Sequence, residues 1–167
     1  MRHLWASWRM KYIASTTAKP TGCVFCNALD QPDSADNLIV MRGEHAFVIL
    51  NKFPYTSGHL MVVPFAHHGK LEELSQAARA EMMELVSTFT TVLCSIYNPE
   101  GFNIGINIGK AAGAGVPGHV HIHVLPRWLG DTNFMTSVAD MRVLPETVDR
   151  TYQRVLEAWE KRSELLL

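Results

Sequence analysis

The sequence predicts an α+β fold, an antiparallel sheet of about five strands with one long core helix and a C-terminal helix. Three short apolar stretches lie between residues 38 and 64, and connections this brief only allow antiparallel pairing. Residues 70–97 carry an apolar stripe at helical spacing. Residues 102–108 and 118–125 alternate apolar and polar side chains as strands do. Together these observations predict one packed sheet-and-helix domain.

Composition and length are those of a single globular domain. The chain has 167 residues, 47% hydrophobic and 19% charged, with a net charge of −1. That charge gives no indication of nucleic acid or of a membrane surface as a partner. No apolar run is long enough to cross a bilayer, and charges interrupt the N-terminus where a signal peptide would need an apolar core. We therefore expect a cytoplasmic protein with neither kind of partner.

The chain is expected to divide into three parts within this domain, residues 1–37, 38–128 and 129–167. The first is an arm with two tryptophans, Trp5 and Trp8, and a C-x-x-C segment. The second is the core that carries the candidate catalytic residues. The third is a loop followed by a helix near residues 146–163, whose apolar stripe includes Tyr152 and Trp159.

Within the core, the strands and the helix follow from local signals. The first three strands are predicted at Leu38–Met41, His45–Leu50 and His59–Val63, with Pro64 ending the third. Ser75 is placed to cap the longer part of the 70–97 helix, and Asn98-Pro99-Glu100-Gly101 to stop it. Cys94 lies on the apolar stripe of this helix, so we expect it in the core.

The most informative stretch is Gly113–Arg127, G-A-G-V-P-G-H-V-H-I-H-V-L-P-R. His119, His121 and His123 alternate with aliphatic residues, so a strand would place the three imidazoles on one face and the aliphatic side chains in the core. Pro126 lacks an N–H and is expected to end this strand. A row of imidazoles can bind metal, transfer protons or attack phosphorus.

A loop of small residues, 109–118, comes directly before the histidines. Such a loop exposes backbone N–H groups and lets an anion approach closely, as phosphate-binding loops do. Histidine beside a phosphate cradle favours phosphoryl or nucleotidyl transfer. In that hypothesis His121 attacks the α-phosphorus of a nucleotide, and His123 with the loop N–H groups stabilises the charge on its oxygens.

The alternating histidines resemble the H-φ-H-φ-H-φ-φ signature (φ, apolar) of the histidine-triad (HIT) superfamily of nucleotide hydrolases and transferases. Two more segments, L-W-x-x-W-R-M-x-Y and P-R-W-x-G-D-x-N-F, resemble the subgroup that acts on diadenosine polyphosphates. The resemblance covers nearly the whole chain. It implies a HIT-like fold, a nucleotidyl-histidine intermediate on His121 and a homodimer. Trp5, Trp8 and the Phe89/Val92/Ile96 side of the helix are the candidate interface surfaces.

The same resemblance assigns further site residues. His119 would orient the row or hold metal, His59 would support it, and Asn51 would bind the ribose hydroxyls. The remaining predicted substrate contacts are Asn107, Gly113, Gly115, Gly118 and Trp128. Two alternatives remain open, because Asn51 could simply support a turn before Pro54 and Asn107 could simply face solvent at a strand end.

A metal site is implied by a set of four residues. Cys23-Val-Phe-Cys26 has the spacing of half a zinc site. In zinc-bearing relatives the ligands match Cys23, Cys26, His67 and His119 of this chain, with His68 as an alternative to His67. The zinc would be structural, and a divalent cation could accompany a polyphosphate substrate. The alternative is two buried thiols beside a solvated histidine pair.

Several functions are compatible with this pattern. Cleavage of dinucleoside polyphosphates such as diadenosine tetraphosphate is favoured, with water or phosphate as the acceptor. Phosphorylase relatives carry a serine where this chain has Gly115, which argues against phosphate. A nucleoside phosphoramidase would have a serine where Val116-Pro117 stands. A zinc-stabilised nucleotide-binding module with little turnover is the alternative from another class.

Overall fold

The structure, a computed structural model, describes residues 22–131 and 144–165, so Trp5 and Trp8 lie outside the described residues. The helices are α1 (Val24–Leu29), α2 (Gln76–Tyr97), α3 (Val148–Glu160) and α4 (Arg162–Leu165). The strands are β1 (Ile39–Arg42), β2 (Ala46–Leu50), β3 (Leu60–Pro64), β4 (Gly101–Ile106) and β5 (Ile122–Arg127). Single 3-10 turns occur at Leu71–Glu73 and Lys110–Ala112. Among the described residues no helix is long and apolar enough to cross a membrane.

The five strands form one antiparallel sheet in the order β1-β2-β3-β5-β4, which confirms the predicted α+β class. All residues of β2 and β3 are buried, and α2 packs against these two strands and β5. In the register, Leu60 lies opposite Val124, and Met61 lies opposite His123. His123 therefore faces away from the side on which Leu60 and Val124 lie.

Helix α2 begins and ends where the sequence indicated. The Ser75 hydroxyl accepts a hydrogen bond from the Ala78 N–H at 3.1 Å, and Asn98 closes the helix in the left-handed conformation. The prediction that Cys94 is buried was wrong, because Cys94 is exposed. At 100° per residue it lies about 140° around the helix axis from the buried Phe89.

Helix α3 covers the outer side of α2. The Phe89 ring stacks on Trp159 with centroids 4.8 Å apart, and both Phe89 and Val92 are buried within the chain. The Phe89/Val92 part of the predicted interface surface is therefore not available to a second protomer. The C-terminal helix that covers it begins after Thr147, whose hydroxyl accepts the Arg150 N–H.

The triad strand is displaced from its predicted position. Strand β5 starts at Ile122, so His119 and His121 precede it, and it continues through Pro126 to Arg127. The Glu100 N–H donates to the Arg127 carbonyl, so the backbone polar groups of Pro126 point away from β4. Pairing with β3 has already ended at Val124, and the missing N–H of Pro126 therefore costs no ladder bond.

Candidate active site

His119 is fully buried, and its tautomer is set by a backbone carbonyl. Its Nε2–H donates to the Pro64 carbonyl at 2.8 Å, because a carbonyl can only accept. The lone pair therefore lies on Nδ1, which is 3.3 Å from Cys23 Sγ and 3.8 Å from Cys26 Sγ. The unprotonated nitrogen of His119 therefore points towards the two cysteine sulfur atoms.

His121 has the opposite tautomer. Its Nδ1–H donates to the carbonyl of His119 at 2.9 Å, which leaves the lone pair on Nε2. The imidazole lies between two other rings, Phe25 at 5.0 Å and His123 at 4.7 Å between centroids. An oriented, neutral imidazole with a free Nε2 is the form that attacks phosphorus.

His59 fixes the tautomer of His123. The Tyr55 backbone N–H donates to His59 Nδ1 at 3.2 Å, so the proton of His59 is on Nε2. This Nε2–H then donates to His123 Nδ1 at 2.9 Å. The remaining nitrogen of His123 consequently carries a proton that it can donate to a ligand oxygen. His59 is itself fully buried, and it contacts the row at His123.

Burial keeps these imidazoles neutral. It lowers the pKa of His59 to about 3, with further contributions from His123 and His121. Burial, followed by the proximity of His121, lowers the pKa of His123 to about 4. It also lowers the pKa of His121, and this outweighs the opposing effect of the hydrogen bond to the His119 carbonyl. At neutral pH the row is therefore uncharged, in agreement with the hydrogen-bond pattern.

The small-residue loop is anchored beside the histidines. The His119 N–H donates to the Val116 carbonyl at 3.2 Å, and the Val120 N–H donates to the His68 carbonyl at 2.7 Å. Gly113 has a φ of 82°, a conformation that favours glycine. At Gly115 a Cβ would meet no atom within 4 Å, so the loop is open there.

The four predicted metal ligands come together, and their ligand atoms all lie within 4.8 Å of one another. Cys26 Sγ lies 3.3 Å from His67 Nδ1. Zinc bonds of about 2.3 Å to sulfur and about 2.0 Å to nitrogen place tetrahedral ligands about 3.3–3.8 Å apart. The three cysteine–histidine separations of 3.3, 3.3 and 3.8 Å match this spacing, and the widest pair, at up to 4.8 Å, would close by about 1 Å around a zinc ion. His68 instead lies 3.8 Å from Glu73, which makes His67 the member of the cluster.

The thiols of this cluster suit a metal ligand better than an isolated reactive thiol. Burial, followed by the hydrogen bond and charge of Cys23, raises the pKa of the Cys26 thiol. Both cysteines are free, and neither forms a disulfide. A bound cation would remove their protons, because thiolates are the ligand form of cysteine.

Gly118 and the two asparagines lie next to the row. A Cβ at Gly118 would be 3.5 Å from His67 Nε2, so this glycine lies beside the cysteine–histidine cluster. Asn51 Oδ1 accepts the Phe53 N–H at 2.9 Å, so Asn51 does support the turn, yet its amide nitrogen is also 3.5 Å from His59 Nε2. Asn107 follows β4 on the face of Gly105, which pairs with His123.

Trp128 is the one predicted site residue that this chain does not bring to the row. It follows the far end of β5, and its indole N–H donates to the Tyr97 carbonyl at 3.3 Å. Its Cα lies five residue steps along the extended chain from that of His123, about 16 Å of strand. The prediction that it contacts substrate gains no support from its position within one protomer.

Comparison with known proteins decides the family. A family model described as the HIT domain matches residues 33–128. The chain belongs to the HIT family. The histidine-triad resemblance of the sequence is thereby confirmed, and with it the HIT-like fold.

Individual HIT proteins resemble the chain over most of its length. An AP-4-A phosphorylase of Mycobacterium tuberculosis is 34% identical, covering 96% of this chain and 86% of its own. The adenylylsulfatase HINT3 of Arabidopsis thaliana is 30% identical over 63% of this chain and 52% of its own. A crystal structure of a Zn-bound histidine triad family protein from Mycobacterium smegmatis superimposes with a TM-score of 0.68 and 26% identity. That superposition covers 86% of this chain and 96% of the other.

Two aromatic residues of this HIT site were missed by sequence reasoning. Phe25 packs against His119 and His121, and the Tyr55 ring lies 4.9 Å from that of His59. The signal for Phe25 was its position between the two cysteines, which places it next to any metal site that they form. Tyr55 had only its place four residues before His59, which says little about packing.

Proposed function

We propose that this HIT protein cleaves dinucleoside polyphosphates such as diadenosine tetraphosphate through a nucleotidyl-His121 intermediate. The observation that carries the proposal is the hydrogen bond from His121 Nδ1–H to the His119 carbonyl, which leaves Nε2 as the nucleophile. The names of two relatives, an AP-4-A phosphorylase and an adenylylsulfatase, support an activated adenosine 5′-phosphate as the substrate class.

The reaction proceeds in two displacements. His121 Nε2 forms a bond to the α-phosphorus as the P–O bond to the polyphosphate breaks, and the bonding electron pair leaves with that oxygen. The leaving nucleotide is a polyphosphate and needs no proton. An acceptor oxygen then attacks phosphorus, the N–P bond breaks and its electron pair returns to Nε2. When water is the acceptor, its proton passes to solvent.

Donors around the row stabilise the charge on the phosphate oxygens in both steps. His123 donates through Nε2–H, because His59 occupies its other nitrogen. The backbone N–H groups of the 113–118 loop supply further donors, and Gly115 leaves room for the phosphate chain. Asn51 binds the ribose hydroxyls from the edge of the row, while Asn107 contacts the phosphate or its leaving group.

The acceptor distinguishes two versions of this function. Hydrolysis of diadenosine tetraphosphate gives AMP and ATP, whereas phosphorolysis gives ADP and ATP. The 34% identity to an AP-4-A phosphorylase favours phosphate, and the absence of a hydroxyl at Gly115 favours water. Product analysis with and without inorganic phosphate separates them, since only phosphorolysis makes ADP in a phosphate-dependent manner.

The covalent intermediate is tested with diadenosine tetraphosphate labelled at the α-phosphorus. We expect wild-type protein quenched in alkaline denaturant to retain an acid-labile label, and His121→Ala to retain none and to lose turnover. His68→Ala is the matched control, because His68 is an exposed histidine near the loop, and it should label normally. Turnover retained in His121→Ala would refute the mechanism.

The cysteine–histidine cluster is proposed to hold one structural zinc. The separation of its ligand atoms and the Zn-bound relative support this assignment. Bound zinc would cross-link three segments, which carry the Cys23–Cys26 pair, His67 after β3, and His119 at the start of the triad. His67→Ala should purify with less than half the zinc of wild type, whereas His68→Ala should keep it. Equal zinc in both variants would contradict the ligand set.

A homodimer is proposed through the edge of the sheet. The exposed fractions of the Ile104 and Ile108 side chains are 48% and 43%, although they belong to the apolar face of the β4 segment. An apolar edge of this kind suits strand pairing across a two-fold axis. Light scattering should give twice the mass of one chain for the wild type, and Ile104→Lys should reduce that mass.

A further inference from the structure

Phe25 occupies the position between the cysteine–histidine cluster and the nucleophile. Its ring is 3% exposed, and its centroid lies 5.0 Å from that of His121 and 5.4 Å from that of His119. The residues on either side of it in sequence include Cys23 and Cys26, whose sulfur atoms approach His119 Nδ1. A single aromatic side chain therefore contacts both the metal-facing histidine and the attacking one.

The orientation of the His121 ring depends on this contact. Its hydrogen bond to the His119 carbonyl holds only one ring nitrogen, so packing on the rest of the ring is needed to keep the side chain in the rotamer that makes this bond. His123 lies against one part of the ring, with centroids 4.7 Å apart and planes inclined by 72°, and Phe25 contacts another, inclined by 57°. Without Phe25 the ring would lose one of these two supports and could swing away from the phosphorus.

Helix α1 cannot hold Phe25 in place by its own stability. It has six residues, Val24–Leu29, and isolated helices much longer than this are marginal in water. The side chain of its N-cap residue, Cys23, makes no capping hydrogen bond; its sulfur lies 3.3 Å from His119 Nδ1 instead. The side chains of Asn37 and Arg42 donate to the carbonyls of Ala28 and Leu29 at the C-terminal end of α1. Its N-terminal end, which carries Phe25, is held by the burial of that ring and by the two sulfur atoms.

We infer that Phe25 is a positioning residue for His121, and that the Cys23–Cys26 pair, when metal-bound, sets the position of Phe25. This inference rests on the proposed role of His121 as nucleophile. A metal bound by this cluster would therefore influence the reaction indirectly, through the position of the phenyl ring that packs against the attacking imidazole. The metal itself takes no part in the chemistry.

The first test separates catalysis from binding. A misplacement of about 1 Å at a reacting group can cost about 100-fold in rate, so Phe25→Ala should lower kcat by about 10- to 100-fold. KM should change far less, because Phe25 lies beneath the row. Phe25→Leu should recover much of the rate. Phe89→Leu is the matched control, since it truncates a buried phenylalanine that stacks on Trp159 instead, and its kcat should stay within about twofold of wild type.

The second measurement is spectroscopic and independent of turnover. Long-range ¹H–¹⁵N correlation spectra of the imidazoles report which nitrogen of His121 carries the proton. Wild type and Phe89→Leu should show one tautomer, protonated at Nδ1, and Phe25→Ala should show a mixture. Zinc removed by a chelator, or prevented from binding by His67→Ala, should produce the same mixture in an otherwise wild-type chain.

The effects on kcat of losing the metal and of replacing Phe25 should also be non-additive. If metal and Phe25 act on His121 through one path, His67→Ala combined with Phe25→Ala should lower kcat about as much as the more severe single change. Fully multiplicative effects, or wild-type protein that contains no zinc, would overturn the coupling. A wild-type kcat and a single His121 tautomer in both Phe25 variants would overturn the positioning role. Failure of the proposed function is distinguishable, because it would appear as turnover in His121→Ala.

Discussion

Lowering the pH should destabilise the fold through His59. This imidazole is fully buried, accepts the Tyr55 backbone N–H and donates to His123. Burial, followed by repulsion from His123 and His121, lowers the pKa of His59 from 6.5 to about 3 in the folded state. The unfolded chain exposes His59 and restores its ordinary pKa.

The magnitude follows from proton linkage. Between pH 6.5 and about 3 the unfolded state binds a proton at His59 that the folded state does not, so stability falls as the pH falls. The contribution is complete above pH 6.5 and is lost progressively towards about pH 3. At pH 5 the difference is about 1.5 pH units at about 1.36 kcal/mol each, or about 2 kcal/mol.

Urea unfolding at pH 7 and pH 5, with a zinc chelator in every sample, measures this loss. Wild type should lose about 2 kcal/mol more than His59→Gln, since every other titrating group is common to both chains. His68→Gln removes an exposed histidine instead and should lose as much as wild type. Equal losses in wild type and His59→Gln would show that His59 does not remain neutral in the folded protein.

Two further predictions concern surface loops. The Glu81 carboxylate accepts backbone N–H groups in the β1–β2 turn at 2.8 and 2.6 Å, so Glu81→Ala should cost about 2 kcal/mol in urea unfolding. The exposed Glu84→Ala should cost under about 0.5 kcal/mol, and equal costs would contradict the role of that turn. Gly115→Ser adds a hydroxyl donor where a Cβ meets no atom, so it should raise the ratio of ADP to AMP formed from diadenosine tetraphosphate in phosphate buffer. A ratio no higher than that of Gly115→Ala would contradict this role for the hydroxyl.

Local signals predicted most of the fold because the residues within and beside each helix or strand favour that conformation by themselves. Helix α2 begins after Ser75 and ends at Asn98, as expected, and the short connections between the first three strands required antiparallel pairing. The errors arose where a tertiary neighbour decided the outcome. Pro126 remains in its strand only because β3 stops short of it, and no local pattern reveals that.

The burial of the α2 residues shows the same limit. Apolar periodicity identified the stripe that includes Phe89, but periodicity does not say which structure covers it. Here α3 covers it, through the contact between Phe89 and Trp159. A segment that returns from the end of the chain can occupy a surface that, in isolation, would suit a second protomer.

The sequence could not predict which ring nitrogen of each triad histidine carries the proton. His119, His121 and His123 are equivalent in an alternating pattern, yet their hydrogen bonds give them different roles. A carbonyl occupies Nε2 of the first and Nδ1 of the second, and another imidazole occupies Nδ1 of the third. The remaining nitrogen of His119 therefore faces the cysteine pair. The remaining nitrogen of His121 carries a lone pair, and that of His123 carries a proton that it can donate. In the proposed function these three identical side chains act as a ligand, a nucleophile and a hydrogen-bond donor, because backbone carbonyls hold two of them and the His59 imidazole holds the third.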